Sequence, residues 1–198
     1  NLRAPTVDSS TATVTNRSAA TVSFDRPSAG AWDFGGAGAN VTASSLAAFS
    51  GTGFIQLGSA DTDLTATGAV SLSVGDTFTV QGRTISGLSG GNHLSVTSGN
   101  MKLDAEAGAL SLGSNLGVAG RLVLETSASH GISGSGVVTA DSLALRTAGG
   151  VVDLDGSTHQ IGTIAGMERL VQIADEMDEE SERHQPLAGR DGAILQQL

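Results

Sequence analysis

Few residues of this chain come at a spacing that could do chemistry. Asp153 and Asp155 stand two apart in the run VVDLDG at 151–156. Residues two apart on a strand share a face, so both carboxylates would point the same way, with His159 close behind. Cleavage of a glycosidic bond needs such a pair, one group protonating the leaving oxygen and the other acting as base or nucleophile. No Arg or Lys sits beside the pair to hold an anionic sugar, and the plainer expectation is two solvated side chains next to a turn. Asp61 and Asp63 form a second pair that could meet calcium, as could Gly149-Gly150 with Asp153 and Asp155. Calcium-binding nonapeptide arrays need Gly-Gly-x-Gly-x-Asp in tandem. Here only fragments of that pattern occur, and they do not recur.

The remaining polar candidates are weaker. His93, His130, His159 and His184 are scattered with no i, i+4 pair, which suits surface or turn residues better than zinc ligands. Ser133-Gly-Ser135-Gly lacks the strand-to-helix setting of a nucleophile elbow and reads as a turn. There is no Gly-Lys pair for a phosphate loop and no Cys for a thiolate. Asn16-Arg-Ser and Asn40-Val-Thr match the glycosylation sequon, a pattern short enough to be expected by chance. The residues therefore predict no enzyme, and no catalytic, cofactor-binding or metal-binding residue.

Composition narrows the architecture. Among 198 residues there are 28 Gly, aromatics make up 3%, and the formal net charge is −10. So acidic a chain is a poor partner for nucleic acid, which needs clustered Lys and Arg. No run of 18 apolar residues exists, so no helical membrane span is expected. No signal peptide opens the chain, and its start at Asn1 rather than Met suggests a fragment or a processed piece. With 39% apolar and 15% charged residues it should fold. The scarcity of rings favours a core of small aliphatic layers.

Between about residues 40 and 166, short alternating runs are broken by Gly, Asn and Asp. Val70, Leu72 and Val74 alternate with small polar residues, as do Leu94 and Val96, Leu122 and Leu124, and Val152 and Leu154. This period of two predicts strands with one face inward. No helical period is visible there. TASSLAAFSGTGFIQLGS at 42–59 aligns without gaps on TADSLALRTAGGVVDLDG at 139–156. A shorter unit recurs as LTATGAVSL from Leu64, LSVTSGNMKL from Leu94 and LDAEAGALSL from Leu103. Such self-similarity marks a repeat architecture.

A sandwich and a parallel β-helix both fit short strands with many turns, and the narrow interior of the β-helix suits this composition better. At roughly 20 residues per coil the body would have on the order of eight coils. The prediction is an all-β fold, a parallel β-helix over 1–166 with residues 1–40 as irregular first coils. Trp32 and Phe34 are expected to pack there. Residues 167–198 hold 3 of the basic and 8 of the acidic residues, half of the net charge. Met167, Leu170, Val171, Ile173, Ala174 and Met177 recur at three- and four-residue steps, predicting an acidic amphipathic helix over about 167–183. Pro186 would end it, and Ala188 to Leu198 would be a flexible end.

The stretch from Asn40 to Gly166 resembles the large exoproteins of the filamentous haemagglutinin type. TASSLAAFSGTGFIQLGS, the LTATGAVSL-like units and TADSLALRTAGGVVDLDGSTHQIGTIAG carry the resemblance. It implies a right-handed parallel β-helix, secreted across the outer membrane of a Gram-negative bacterium by a partner transporter pore. It also implies an adhesin or toxin-delivery stalk at the cell surface, a role in virulence, and host glycans or matrix proteins as partners. The chain lacks the Asn-Pro-Asn-Gly-Ile secretion signature, so the resemblance implies an internal segment. Two alternatives share the fold: a polysaccharide lyase or hydrolase using Asp153 and Asp155, and a phage tail-spike module.

Overall fold

A computed structural model of the protein describes residues 2–3, 21–25, 30–127, 129–155, 158–165 and 171–173, with residues 2–3, 165 and 171–173 described by backbone only. The described chain is a parallel β-helix. Its longest sheet has eight strands whose order in space is their order in sequence. They are Leu2–Arg3, Thr21–Asp25, Phe54–Leu57, Val70–Gly82, Leu94–Ala105, Leu116–Thr126, Val138–Thr147 and Gln160–Ala165. Every neighbour pairs in parallel. Two further four-stranded sheets complete the coils. One joins Val41–Thr42, Gly30–Gly35, Thr62–Ala66 and Thr84–Ser86; the other joins Leu110–Ser111, Ile132–Gly134, Val152–Leu154 and Val171–Ile173. A single bridge, Ser89 to Gly113, lies where these two sheets leave a gap.

Register explains why these residues form coils. Leu57 pairs with Val80, Val80 with Leu103, Leu103 with Leu124, and Leu124 with Leu145. The step is 23 residues for the first two pairings and 21 for the last two. A second column runs Ile55, Phe78, Met101, Leu122, Leu143, and all ten side chains are buried. With rungs about 4.8 Å apart, each aliphatic side chain sits on its counterpart one coil below. The inward set is thus removed from water by its own repetition, which requires no large rings. Trp32 stacks in register on Leu64 and Leu64 on Ile85, within the core as expected.

The long strands are bent. Register shifts fall between Ser73 and Thr77 and between Val118 and Arg121. A bulge turns the strand there, so one strand serves first one flank and then the next. Asn100 occupies this corner. Its Nδ2 donates to the Asp76 carbonyl at 3.1 Å and its Oδ1 accepts from the Arg121 amide at 2.9 Å, tying three successive coils.

One coil departs from the period. Phe24 pairs with Leu57, a step of 33 residues. The excess holds a one-turn helix, Ala43–Ala47, where only strand patterning was expected. Thr42 caps it, its Oγ1 accepting from the Ser45 amide at 3.1 Å. Leu46 and Phe49 are buried, and Phe49 meets Phe24 edge-on at 5.4 Å between ring centres.

The internal alignment of 42–59 on 139–156 does not mark equivalent positions. Residues 43–47 are helix while Val138–Thr147 is strand, and Leu57 lies in the eight-stranded sheet while Leu154 lies in a four-stranded one. The C-terminal expectation also changes. Val171–Ile173 is a strand paired with Val152–Leu154, not part of a helix over 167–183. An open parallel edge offers backbone partners that outweigh a weak local helical period. The remainder of 167–198, including the acidic run and Pro186, lies outside the described residues.

Candidate functional site

The outer face of the eight-stranded sheet carries the densest cluster of interacting polar side chains. Register sets it out in rows. One row runs Ser23, Gln56, Thr79 and Lys102; the next runs Gln81, Asp104, Glu125 and Arg146. Lys102 and Asp104 are two apart on one strand and so share a side. Lys102 Nζ lies 2.8 Å from Asp104 Oδ2 and 3.0 Å from Glu125 Oε2, and Arg146 Nη1 lies 3.5 Å from Glu125 Oε2. Partial burial works against the Lys102 charge, but Asp104 and Glu125 more than offset it and hold its pKa above the ordinary lysine value. A lysine held so firmly as ammonium is unsuited to act as a nucleophile. Beside it, Gln56 Nε2 donates to Gln81 Oε1 and Gln81 Nε2 to Glu106 Oε1, both at 3.2 Å. Its two cations are each committed to carboxylates, and with Glu106 the cluster carries one surplus negative charge.

The same face carries an exposed ring. Ile55 and Leu57 point inward, and Phe54 points outward at 43% exposure. The other five aromatic residues, Phe24, Trp32, Phe34, Phe49 and Phe78, are all buried. Phe54 lies in register between Thr21 and Thr77.

Asp153 and Asp155 both face solvent, Asp153 in register with Ser133 and Gln172. His159 does not join them as a proton carrier. Its Nδ1 accepts from the Val138 amide at 3.1 Å and its Nε2 lies 3.4 Å from the Leu154 carbonyl, so the ring serves a corner. Asp63 is likewise engaged. Arg83 grips it through Nε at 2.9 Å and through Nη2, and Thr84 Oγ1 donates at 2.7 Å. Arg83 first, then Thr84, hold the Asp63 carboxyl below its ordinary pKa. Asp61 is exposed beside it. Among the described residues no group of three His, Asp or Glu side chains could hold a metal ion, and no helix is long and apolar enough to cross a membrane. Ser133 lies on a strand and Ser135 in the bend after it. Asn40 Oδ1 accepts from the Asp33 amide at 3.1 Å. His184 and Asn16 lie outside the described residues.

Sequence reasoning missed a row of corner caps. His93 Nδ1 accepts from the Asn115 amide at 3.1 Å, and Asn115 Oδ1 accepts from the Val137 amide at 3.0 Å. With His159 these positions fall at a spacing of 22 or twice that, the coil period itself. That spacing was the available signal. Comparison with known proteins gives no match to any family model, curated protein or solved structure.

Proposed function

We propose that this chain is a structural and adhesive segment of a secreted bacterial exoprotein, displaying a polar β-helix surface for attachment to host or matrix. One observation carries the reading: the densest polar cluster on the outer face of the eight-stranded sheet consists of neutral amides and mutually paired charges. Such a face is an extended hydrogen-bonding surface without a committed reaction centre. The haemagglutinin-like phrasing of residues 40–166 supports transport by a two-partner pore of a Gram-negative outer membrane, with the cell surface or medium as destination. A glycan array and a cell-adhesion assay on the purified chain test the reading. Retention on a glycan, a matrix protein or cells is expected. Silence in both assays would reduce the segment to a spacer within a longer stalk. A pore gene adjacent to the coding gene is expected, and its absence would remove the transport route.

A further inference from the structure

We infer that Phe54 and the hydroxyl and amide side chains around it form a stacking platform for a neutral saccharide. This rests on the attachment reading above and narrows it to a place and a ligand class.

A ring that turns outward in a protein that buries its other five aromatics leaves apolar surface in water with no packing return. The surrounding outer positions are Thr21 and Thr77 on the neighbouring rungs, and Ser23, Gln56 and Thr79 in the adjoining row. All of them carry hydroxyls or amides, and the charge beside them is the exposed Asp76 carboxylate, which accepts from Thr77 Oγ1 at 2.7 Å and would itself repel an anionic ligand. Their spacing, about 4.8 Å between rungs and about 6.7 Å between alternate residues, places polar groups around the ring on the scale of one sugar unit. A pyranose presents an apolar C–H face edged by hydroxyls. The match is an aromatic surface with a few convergent polar groups at its margin.

Charge selects within the saccharides. The cations on this face stand off from the ring: Lys102 and Arg146 are paired with Asp104 and Glu125, and exposed Arg121 lies three rungs along the column of Phe54, Thr77 and Asn100. The chain as a whole carries −10. A sulfated or uronic-acid polymer would meet repulsion with no cation beside the ring to offset it. Area excludes a second copy of the chain as the occupant. A stable protein–protein contact buries about 1,200 Å² or more, far beyond what one half-exposed ring among small polar residues offers as a hydrophobic centre.

The test uses the full chain with defined probes: linear oligomers of glucose, mannose and N-acetylglucosamine, with heparin as the anionic probe. Binding is read by saturation-transfer NMR and titration calorimetry. At least one neutral oligomer should bind, with signal concentrated on its axial C–H protons, and heparin should not. Phe54→Ala should weaken that binding about tenfold or more, whereas Phe54→Trp should retain it. Thr139→Ala, on another flank of the coil, should leave it unchanged. Circular dichroism of each variant separates loss of the platform from loss of the fold. Failure of every neutral oligomer, or equal binding by Phe54→Ala, overturns the inference. So does dimerisation in sedimentation that Phe54→Ala abolishes. Cell attachment that persists in Phe54→Ala and resists competition by neutral oligomers would sink this platform and leave the attachment reading intact. Absence of attachment by the unmodified chain would sink that reading instead.

Discussion

Replacing Thr52 by valine should make the protein more stable. Thr52 is fully buried just after the helical insertion, and its backbone is satisfied: its amide donates to the Phe49 carbonyl at 3.1 Å and its carbonyl accepts from Gly75 at 2.8 Å. Its hydroxyl has no hydrogen-bond partner among the described residues. A buried hydroxyl left without a partner costs about 1–3 kcal/mol. Valine keeps the branched shape and removes the orphaned group, so the expected gain is about 1–2 kcal/mol. For a chain of this size that raises the melting temperature by about 2–4 °C per kcal/mol. Thr52→Ser is the informative partner, because it keeps the hydroxyl and deletes the methyl. It should destabilise by about 1 kcal/mol. Urea melts followed by far-UV circular dichroism give both numbers, and amide exchange at Gly75 reports whether the change is local. A valine variant less stable than the parent would refute the argument, since the hydroxyl would then have a partner that valine removes.

Other outcomes follow from the stacking. Leu103→Ala opens a cavity between Val80 and Leu124 and should cost about 2–5 kcal/mol in the same urea melts. Gly87→Ala should cost about 2 kcal/mol or more, because the residue sits at φ +74 and a Cβ there collides with the Ala66 carbonyl oxygen. Gly90→Ala, at φ +62 with open space around it, should cost only about 1 kcal/mol; similar losses at both sites would discount the collision. Asp63 has its pKa lowered in the fold by Arg83 and Thr84, so its stabilising contribution is present above about pH 4. That contribution disappears as pH falls through the folded-state value, and Asp63→Asn should flatten this part of the urea-midpoint profile. Lys102 has its pKa raised, so its contribution is present below about pH 10.4 and lost as pH climbs through the folded value. Lys102→Gln should remove that alkaline loss.

How much of this was legible before the structure depends on the range of the interactions. Alternation at Val70 and Leu72, or Leu122 and Leu124, specifies inward residues because burial there is decided by period two, a local property. The recurring nine- or ten-residue unit proved to be a corner signal rather than a coil. LTATGAVSL spans the passage from a four-stranded sheet to the long one, LSVTSGNMKL spans the bend inside a long strand, and LDAEAGALSL spans the return. All three corners ask for the same chemistry, aliphatic residues flanking a small turn, so their likeness hid the period of 21 to 23. The helix Ala43–Ala47 leaves no trace in the pattern because five residues are too few to show a helical period. At the other end, Val171 and Ile173 matched a helical step but also alternate, and an edge strand contributed by residues some twenty positions earlier decided between the two. Asp63 and Arg83 likewise lie 20 residues apart, so their pairing emerges only once the register is known.

The oversized coil has a practical corollary. Phe24 still sits on Leu57, although the chain between them runs about ten residues longer than between other stacked partners. Lengthening at a vertex is therefore decoupled from the wall, and the solenoid behaves as a rail onto which cargo loops can be clipped. A foreign peptide inserted at the exposed turn Ala37-Gly38, with Leu46 and Phe49 left in the core, would be held on a rigid spine, and an array of such insertions at successive vertices would display epitopes at a pitch dictated by the backbone alone.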